Sequence, residues 1–517
     1  MKKLTLLLCF VSFSTNGQNI TVASGKSFTI EKTGAVTMSG NFSNAGTFIL
    51  NSDSDEFSSL IIGGSVTGNI TYNRYVNSVG TNEWDLIGAP VSGQSINSFV
   101  TANTSTLATN GATKAIGYYN NTDNTWTNYT TSTIVGAGNF PLGKGFQMAT
   151  NANGTGILSF TGAPTATNQT WTIIDNDAAN SGAGTRWNLV ANPFPSYIYG
   201  NANADSSHNF LTVNSDKLND SYEAIYGYDA DGSGYTVYNN TSAALRLAPG
   251  QAFMVASDNA ENDTISFTTA MRTTTGGDDL IVGRDPIDSY ELVLKLYEGD
   301  SEIDHTKFYF GDGLSLNLDP GYDAGHFNQG ASLMSRLVEE DEGVGLVINA
   351  MGLESVNDVV APLELNIEAG NNFRISIGTF NIDTAINVYL EDNVQETMTL
   401  LNDQDFELTA ENELSGVGRF FIHLTETLLS IDDKIETNYL NVFKADVNNF
   451  ITVEGLANQW NGTKLRLYTI LGKEVIFTTL NNTNNKQTIS TQGLSTGIYI
   501  VKLESGNILL TKKLFIK

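Results

Sequence analysis

The stretch KLRLYTILGKEVIF, Lys464–Phe477, decides how the rest of the chain is read. Leu465 and Leu467 alternate with Lys464, Arg466 and Tyr468, the two-residue period of a strand with one buried face. Leu471-Gly472-Lys473 marks a hairpin turn, and Lys473–Phe477 returns as a second strand. The pattern continues outward on both sides. Leu440–Phe443 and Ile451–Gly455 precede the hairpin; Gln487–Ile489, Gly497–Leu503 and Leu509–Ile516 follow it, which makes seven strands. That number suffices for a compact Greek-key sandwich. The stretch also differs in charge from everything ahead of it. Lys434–Lys517 carries ten Lys or Arg against five Asp or Glu, whereas residues 18–433 carry fifteen against fifty. The sign flips at one point, as expected where a basic β-domain is appended to an acidic body.

At 517 residues the chain exceeds what one core supports, and about three to five domains are expected. Glycine contributes 49 residues and charged side chains only 16%, with Thr, Ser and Asn abundant, which favours strands and turns over long helices. A net charge of −28 argues against nucleic acid as a partner, because phosphate binding relies on Lys and Arg. Lys2-Lys3, the apolar run Leu4–Phe13 and the small residues of Thr15-Asn16-Gly17 read as a secretory signal, with Gln18 the first mature residue. The single cysteine, Cys9, falls inside that run, so the mature chain would have no disulfide, Cys-metal site or thiol catalyst. No later segment reaches the roughly 18 consecutive apolar residues of a membrane span.

Residues 20–75 alternate short apolar runs with Gly and Asn: Ile20–Val22, Ser27–Ile30, Ala35–Met38, Thr47–Leu50 and Ser59–Ile62. Strands so evenly spaced stack as rungs of a β-solenoid or pair as an ordinary antiparallel sheet, and the spacing allows either. Asn51-Ser-Asp53-Ser-Asp55 has oxygen ligands for calcium but lacks the Gly and terminal Glu of a complete loop, so a solvated turn is the plainer reading.

The body contains a duplication. Glu83–Pro90 (EWDLIGAP) recurs as Arg186–Pro193 (RWNLVANP), and Ile116–Tyr129 as Ile225–Tyr238. Gly143–Ala149 recurs as Gly250–Ala256, and Leu158-Ser-Phe160 as Ile265-Ser-Phe267. The offsets of 103, 109, 107 and 107 keep the blocks in order, so each copy reads as one β-domain. Trp84 and Trp187 open a strand and anchor its packing, and Pro90 and Pro193 end it. Tyr119 and Tyr228 flank the hairpin turns beside Trp126 and Tyr235. Aromatics so placed can stack on sugar rings, while their commoner role is cross-strand pairing. Asp229 and Asp231 resemble the start of a calcium loop, but the other copy reads Asn120-Asn-Thr-Asp123, which favours a structural turn.

A Gly- and Thr-rich hinge at Thr273–Pro286 precedes longer alternating strands, among them Tyr290–Tyr297, Pro362–Ile367 and Arg419–Leu424, which again suggest a sandwich. Gly330–Val338 has room for a helical turn, and Glu339–Glu342 reads as a solvated acidic loop.

Three stretches of the terminal domain carry a family resemblance: Tyr468-Thr-Ile-Leu-Gly-Lys473, Gly493-Leu-Ser-Thr-Gly-Ile-Tyr-Ile-Val-Lys-Leu503 and Lys512-Lys-Leu-Phe-Ile-Lys517. Together they resemble the type A C-terminal sorting domain of proteins exported by the type IX secretion system of Bacteroidota. The resemblance implies that Gly472, Gly493, Leu494, Gly497, Tyr499, Val501, Lys512 and Lys513 belong to a sorting signal. It also implies partners: signal peptidase, the type IX machinery, and a surface glycolipid if the tag is exchanged after export.

The expected fold class is therefore all-β. Its layout is a signal peptide at 1–17, a solenoid-like or small-sheet segment at 18–75, and duplicated β-sandwich-like repeat copies at 76–170 and 171–275. An acidic β-sandwich at 286–428 and the Greek-key sorting domain at 434–517 complete it. The four histidines, His208, His305, His326 and His423, have no zinc-pair spacing, and no nucleophile elbow or phosphate loop is present. The expectation is an exported, non-enzymatic surface or secreted protein, adhesin-like or part of a matrix. It has no cofactor unless calcium binds. The alternative is an extracellular carbohydrate-binding or carbohydrate-active protein with glycan partners, since a pair of carboxylates at glycosidase spacing is available in any chain this acidic.

Overall fold

The computed structural model describes residues 19–79, 84–152, 154–177, 184–229, 234–258, 262–277, 290–327, 330–383, 385–426, 440–444, 450–459, 462–469, 472–506 and 508–516. The expected signal peptide with Cys9, most of the hinge, and Asp231 lie outside these residues. Strand makes up about 51% and helix about 7%, so the chain is all-β. No described helix is long and apolar enough to cross a membrane.

The N-terminal strands pair in parallel and wind as coils. Ile20–Val22, Phe42–Asn44 and Val66–Thr67 form one ladder. Ser27–Ile30, Thr47–Asn51 and Ile70–Tyr75 form a second, and Ala35–Met38 with Ser59–Ile62 a third. Parallel neighbours cannot be joined by a tight hairpin, so the chain completes a circuit between partners. Gly and Asn at the corners permit that, and alternation sends Val22, Ile30, Met38, Phe42, Leu50 and Ile62 into one shared core. Asp53 takes backbone N–H bonds from Asp55 and Glu56 and pairs with Lys32, so its carboxylate organises a turn.

Ile70–Tyr75 joins the coils to the repeats: its other edge pairs antiparallel with Ile157–Gly162. In the second copy Gln169–Ile173 pairs the same way with Asp263–Phe267. The remaining strands also correspond. Asp85–Ile87 pairs with Phe146–Met148 beside the hairpin Thr113–Asn120/Thr125–Thr130. Trp187–Ala191 pairs with Ala252–Ala256 beside the hairpin Ile225–Asp229/Gly234–Tyr238. A short helix recurs too, at Ile96–Ala102 and Phe210–Asn214. Near its end Asn103 and Asn214 each accept a backbone N–H, from Ser159 at 2.8 Å and Ser266 at 2.7 Å.

The two copies meet through reciprocal contacts. Gly88 N–H donates to Gly250 O at 2.7 Å, and the equivalent Ala191 N–H donates to Gly143 O at 2.9 Å. Bridges Ile87–Gln251 and Val190–Lys144 flank them. This exchange of equivalent partners is the pattern of an isologous dimer, here within one chain. Gly88 sits where a side chain has no room: a Cβ there would lie 2.3 Å from the Ala191 Cβ and 2.9 Å from Lys144 O. Gly88→Ala is expected to cost about 1–3 kcal/mol through overpacking. A shift in chemical denaturation would measure it, and an unchanged midpoint would show that the copies yield at this point.

The acidic segment differs from the expected pair of stacked sheets. Its strands, from Tyr290–Glu298 to Phe420–Thr425, form a single eleven-stranded sheet. Leu292, Leu294 and Phe308 share one core with Val388, Leu390 and Ile422, so the sheet curls until its two halves face each other. The expected helical turn within Gly330–Val338 is instead the strand Ser332–Ser335, paired to Leu363–Asn366 and touching Leu346. All four residues are buried, and burial on both faces overrides the weak local preference for a turn. From Asn441 the chain forms a three-stranded and a four-stranded sheet around Val442, Ile451, Leu465, Leu467, Val501 and Leu503.

Candidate functional site

The residues expected to form the sorting signal fall into two structural classes. Gly472 and Gly493 hold left-handed turns with φ of 82° and 90°, conformations that only glycine adopts without strain. Leu494 closes the second turn through its N–H to Thr491 O at 3.0 Å. The rest lie on the last two strands, Gly497–Ser505 and Ile508–Ile516, which pair along their whole length. Gly497 opens the first, Tyr499 and Val501 point into the core, and the Tyr499 hydroxyl donates to Ser495 O at 2.9 Å. Strand alternation sends the two adjacent lysines to opposite faces. Lys513 is exposed, whereas Lys512 is half-buried and donates from Nζ to Asp341 O at 2.7 Å, across to the acidic segment. Burial pushes the Lys512 ammonium below its usual pKa.

That contact borders an ionic hub which the sequence does not reveal. Arg336 is fully buried. Its Nη2 lies 2.9 Å from Asp341 Oδ2, and its Nη1 lies 2.8 Å from Glu364 Oε2 and 3.1 Å from Glu454 Oε2. Lys486 Nζ approaches the other oxygen of Glu454 at 2.6 Å, and Asn441 Nδ2 donates to Asp341 Oδ2 at 2.8 Å. Arg336 and Lys486 thus meet the carboxylates of Asp341, Glu364 and Glu454, with Lys512 held beside them on the Asp341 carbonyl. Arg336, Asp341 and Glu364 belong to the acidic segment and the others to the terminal domain. The expected solvated loop Glu339–Glu342 is corrected at one residue: Asp341 is buried because Arg336 and Asn441 claim its carboxylate, while Glu339, Glu340 and Glu342 stay exposed. Only the charge flip at the domain boundary hinted at such a junction.

The hairpin aromatics form cross-strand pairs. Tyr119 faces Trp126 with ring centroids 5.2 Å apart, and Tyr228 faces Tyr235 at 5.3 Å. The four do not form one exposed face. Trp126 is 37% exposed, but Tyr119 is half-buried and hydrogen-bonded to Asn124 and Thr185, each at 2.8 Å. Tyr235 packs 4.2 Å from Phe327, which also lies 4.4 Å from Trp187. The buried Tyr226 donates its hydroxyl to Gly325 O at 2.8 Å. Copy 2 therefore presents its aromatic face to the acidic segment. Near this seam burial raises Glu223 and Asp323 to about 7 each; Asp323 accepts from Asp319 N–H and Ala350 N–H, the arrangement of a turn-holding carboxylate. Asp229 ends a strand beside the undescribed Asp231. Among the described residues no group of three or more His, Cys, Asp or Glu is placed to hold a metal ion.

Two family models match the sequence. The first, described as "Domain of unknown function (DUF8693)", covers residues 9–423, and the second, "Secretion system C-terminal sorting domain", covers residues 445–517. The second makes the chain a type IX cargo protein, exported across the outer membrane to the cell surface or extracellular space and engaging the type IX machinery. No curated protein matches. Among solved structures, a "Biofilm associated protein - BSP domain" aligns over 87% of this chain and 96% of that one, at 8% identity and a TM-score of 0.17, too low to relate the folds.

Proposed function

Because the chain belongs to the family of the domain of unknown function DUF8693 and ends in a sorting domain, we propose that it is a non-enzymatic, adhesin-like or matrix protein delivered by a type A signal. One observation carries this reading: every described junction between its modules is built from buried side chains or shared ladders. The coils share a strand with copy 1, the copies interlock, copy 2 packs aromatics on the acidic sheet, and that sheet shares the ionic hub with the tag. Such construction suits a scaffold that presents surfaces. Signal peptidase removes the leader at export, and anchoring to a surface glycolipid follows if the tag is exchanged. The test is attachment of intact cells to a substratum, with the gene present or deleted. Equal attachment, with the protein detected on wild-type cells, would count against an adhesin.

The exposure of Trp126 beside Tyr119 favours a second reading, glycan binding by the first hairpin. Binding of the whole protein on a glycan array should then fall roughly tenfold in Trp126→Ala, since a sugar–aromatic stack contributes energy of the order of other aromatic contacts.

A further inference from the structure

The reciprocal packing of the two copies creates two equivalent corners that have been filled differently. Leu158 and Ile265 occupy matching positions and face Arg74 and Trp171, so those two residues are structural equivalents. Lys144 and Gln251 are likewise equivalent, each bridged to the strand of the other copy. At one corner the cation is Arg74. It is fully buried, with Nε donating to Pro249 O at 3.0 Å, Nη1 donating to Tyr75 O at 2.8 Å, and the Phe57 ring 4.0 Å from its guanidinium carbon. Gln251, the equivalent of Lys144, is buried and neutral.

At the other corner the cation is Lys144. Its Nζ lies 5.1 Å from the centroid of Tyr118, 5.6 Å from Phe146 and 5.9 Å from Trp171. Among the described residues no carboxylate or other oxygen pairs with it, in a chain where acids outnumber bases 55 to 27. Arg186, Arg336 and Arg419 all have carboxylates. Lys144, Tyr118 and Trp171 are only half-buried, so the corner opens to solvent. Ring faces compensate part of the cost of desolvating an ammonium, but they leave its hydrogen-bond donors unused.

We propose that Lys144, Trp171 and Tyr118 form a binding site for a carboxylate carried on a saturated ring, the chemistry of a uronic-acid residue in an acidic polysaccharide. The ammonium would take the carboxylate, and the half-exposed Trp171 and Tyr118 would take the apolar face of the sugar ring. One point cation suits a single carboxylate; phosphate is better served by several converging donors. The site lies on the opposite face of the first hairpin from the Tyr119–Trp126 pair, as the alternation of Tyr118 and Tyr119 requires, and rests on neither reading above.

The test is titration of the whole mature protein with an oligogalacturonate, followed by tryptophan fluorescence and calorimetry. A neutral oligogalactoside of equal length and acetate at equal carboxylate concentration serve as the other arms. Saturable binding by the oligogalacturonate alone is expected, weakened tenfold or more in Lys144→Gln and in Trp171→Ala. Lys144→Gln copies the residue at the equivalent corner, so it should fold, and an unchanged melting temperature would verify that. The proposal is overturned by absent binding to the wild type, by equal affinity in a folded Lys144→Gln, or by equal affinity for the neutral sugar or acetate.

Discussion

Deleting Gly493–Lys517 should leave the protein in the periplasm, while the full-length chain reaches the cell surface or the medium. The expected change is close to all-or-none, because the deletion removes both the matched signal and the structure that displays it. Gly497–Ser505 lies between Thr463–Thr469 and Ile508–Ile516 in the four-stranded sheet. Without the last two strands the core loses Tyr499, Val501, Leu503, Leu514 and Ile516, and Thr463–Thr469 is left with an open edge. Each such side chain contributes about 1.5–3 kcal/mol on burial, more in total than a domain of this size can lose. Fractionation into periplasm, outer membrane and medium, with immunoblotting against the body, reads the outcome. A truncated protein appearing outside the cell at normal yield would sink the assignment of the signal to these residues. Lys513→Ala adds a finer arm: it leaves the core and the hub untouched, so loss of export in that variant would point to recognition rather than folding.

Arg336→Ala should be the most destabilising single substitution at the junction of body and tag. It leaves Asp341, Glu364 and Glu454 facing one another with too few counter-charges, and Glu454 is wholly buried. Breaking a buried pair from one side costs about 3–5 kcal/mol, far above the 0–1 kcal/mol of a surface pair. Two readouts check this: the denaturation midpoint, and the rate at which a protease releases the terminal domain. Both should recover in part when Glu454→Gln is added, since one stranded charge is then removed. Wild-type stability in Arg336→Ala would mean that water or rearrangement replaces the guanidinium, and the hub would then not hold the tag. The hub also limits how a signal placed at these lysines could be read, because Lys512 is occupied by the body while Lys513 remains accessible.

How much was legible follows from how local each signal is. The alternation around Leu465 and Leu467 is local, and both side chains are fully buried. The duplicated blocks were legible as a repeat, since their spacing survives in the sequence. Their reciprocal packing was not, because Gly88 and Gly250, like Gly143 and Ala191, lie far apart in the chain and become partners only once it has folded back. In the coiled segment the short strands were visible but parallel pairing was not, since strands of two to six residues have the same alternation in either direction. Ser332–Ser335 was misread as a turn because its second buried face comes from distant strands.

The sequence by itself determined that the chain is all-β, that its body is duplicated, and that it ends in a sorting domain. Those properties rest on period, repetition and a contiguous motif, each carried by neighbouring residues. Only the tertiary structure decided which charges are spent and which are free. Arg336 and Asp341 stand five positions apart in an unremarkable acidic stretch, yet three carboxylates from two domains converge on that guanidinium. Lys144 and Arg74 look like ordinary cations in sequence. Backbone carbonyls bind Arg74, whereas among the described residues none binds the Lys144 ammonium, and that difference arises only where the two copies meet.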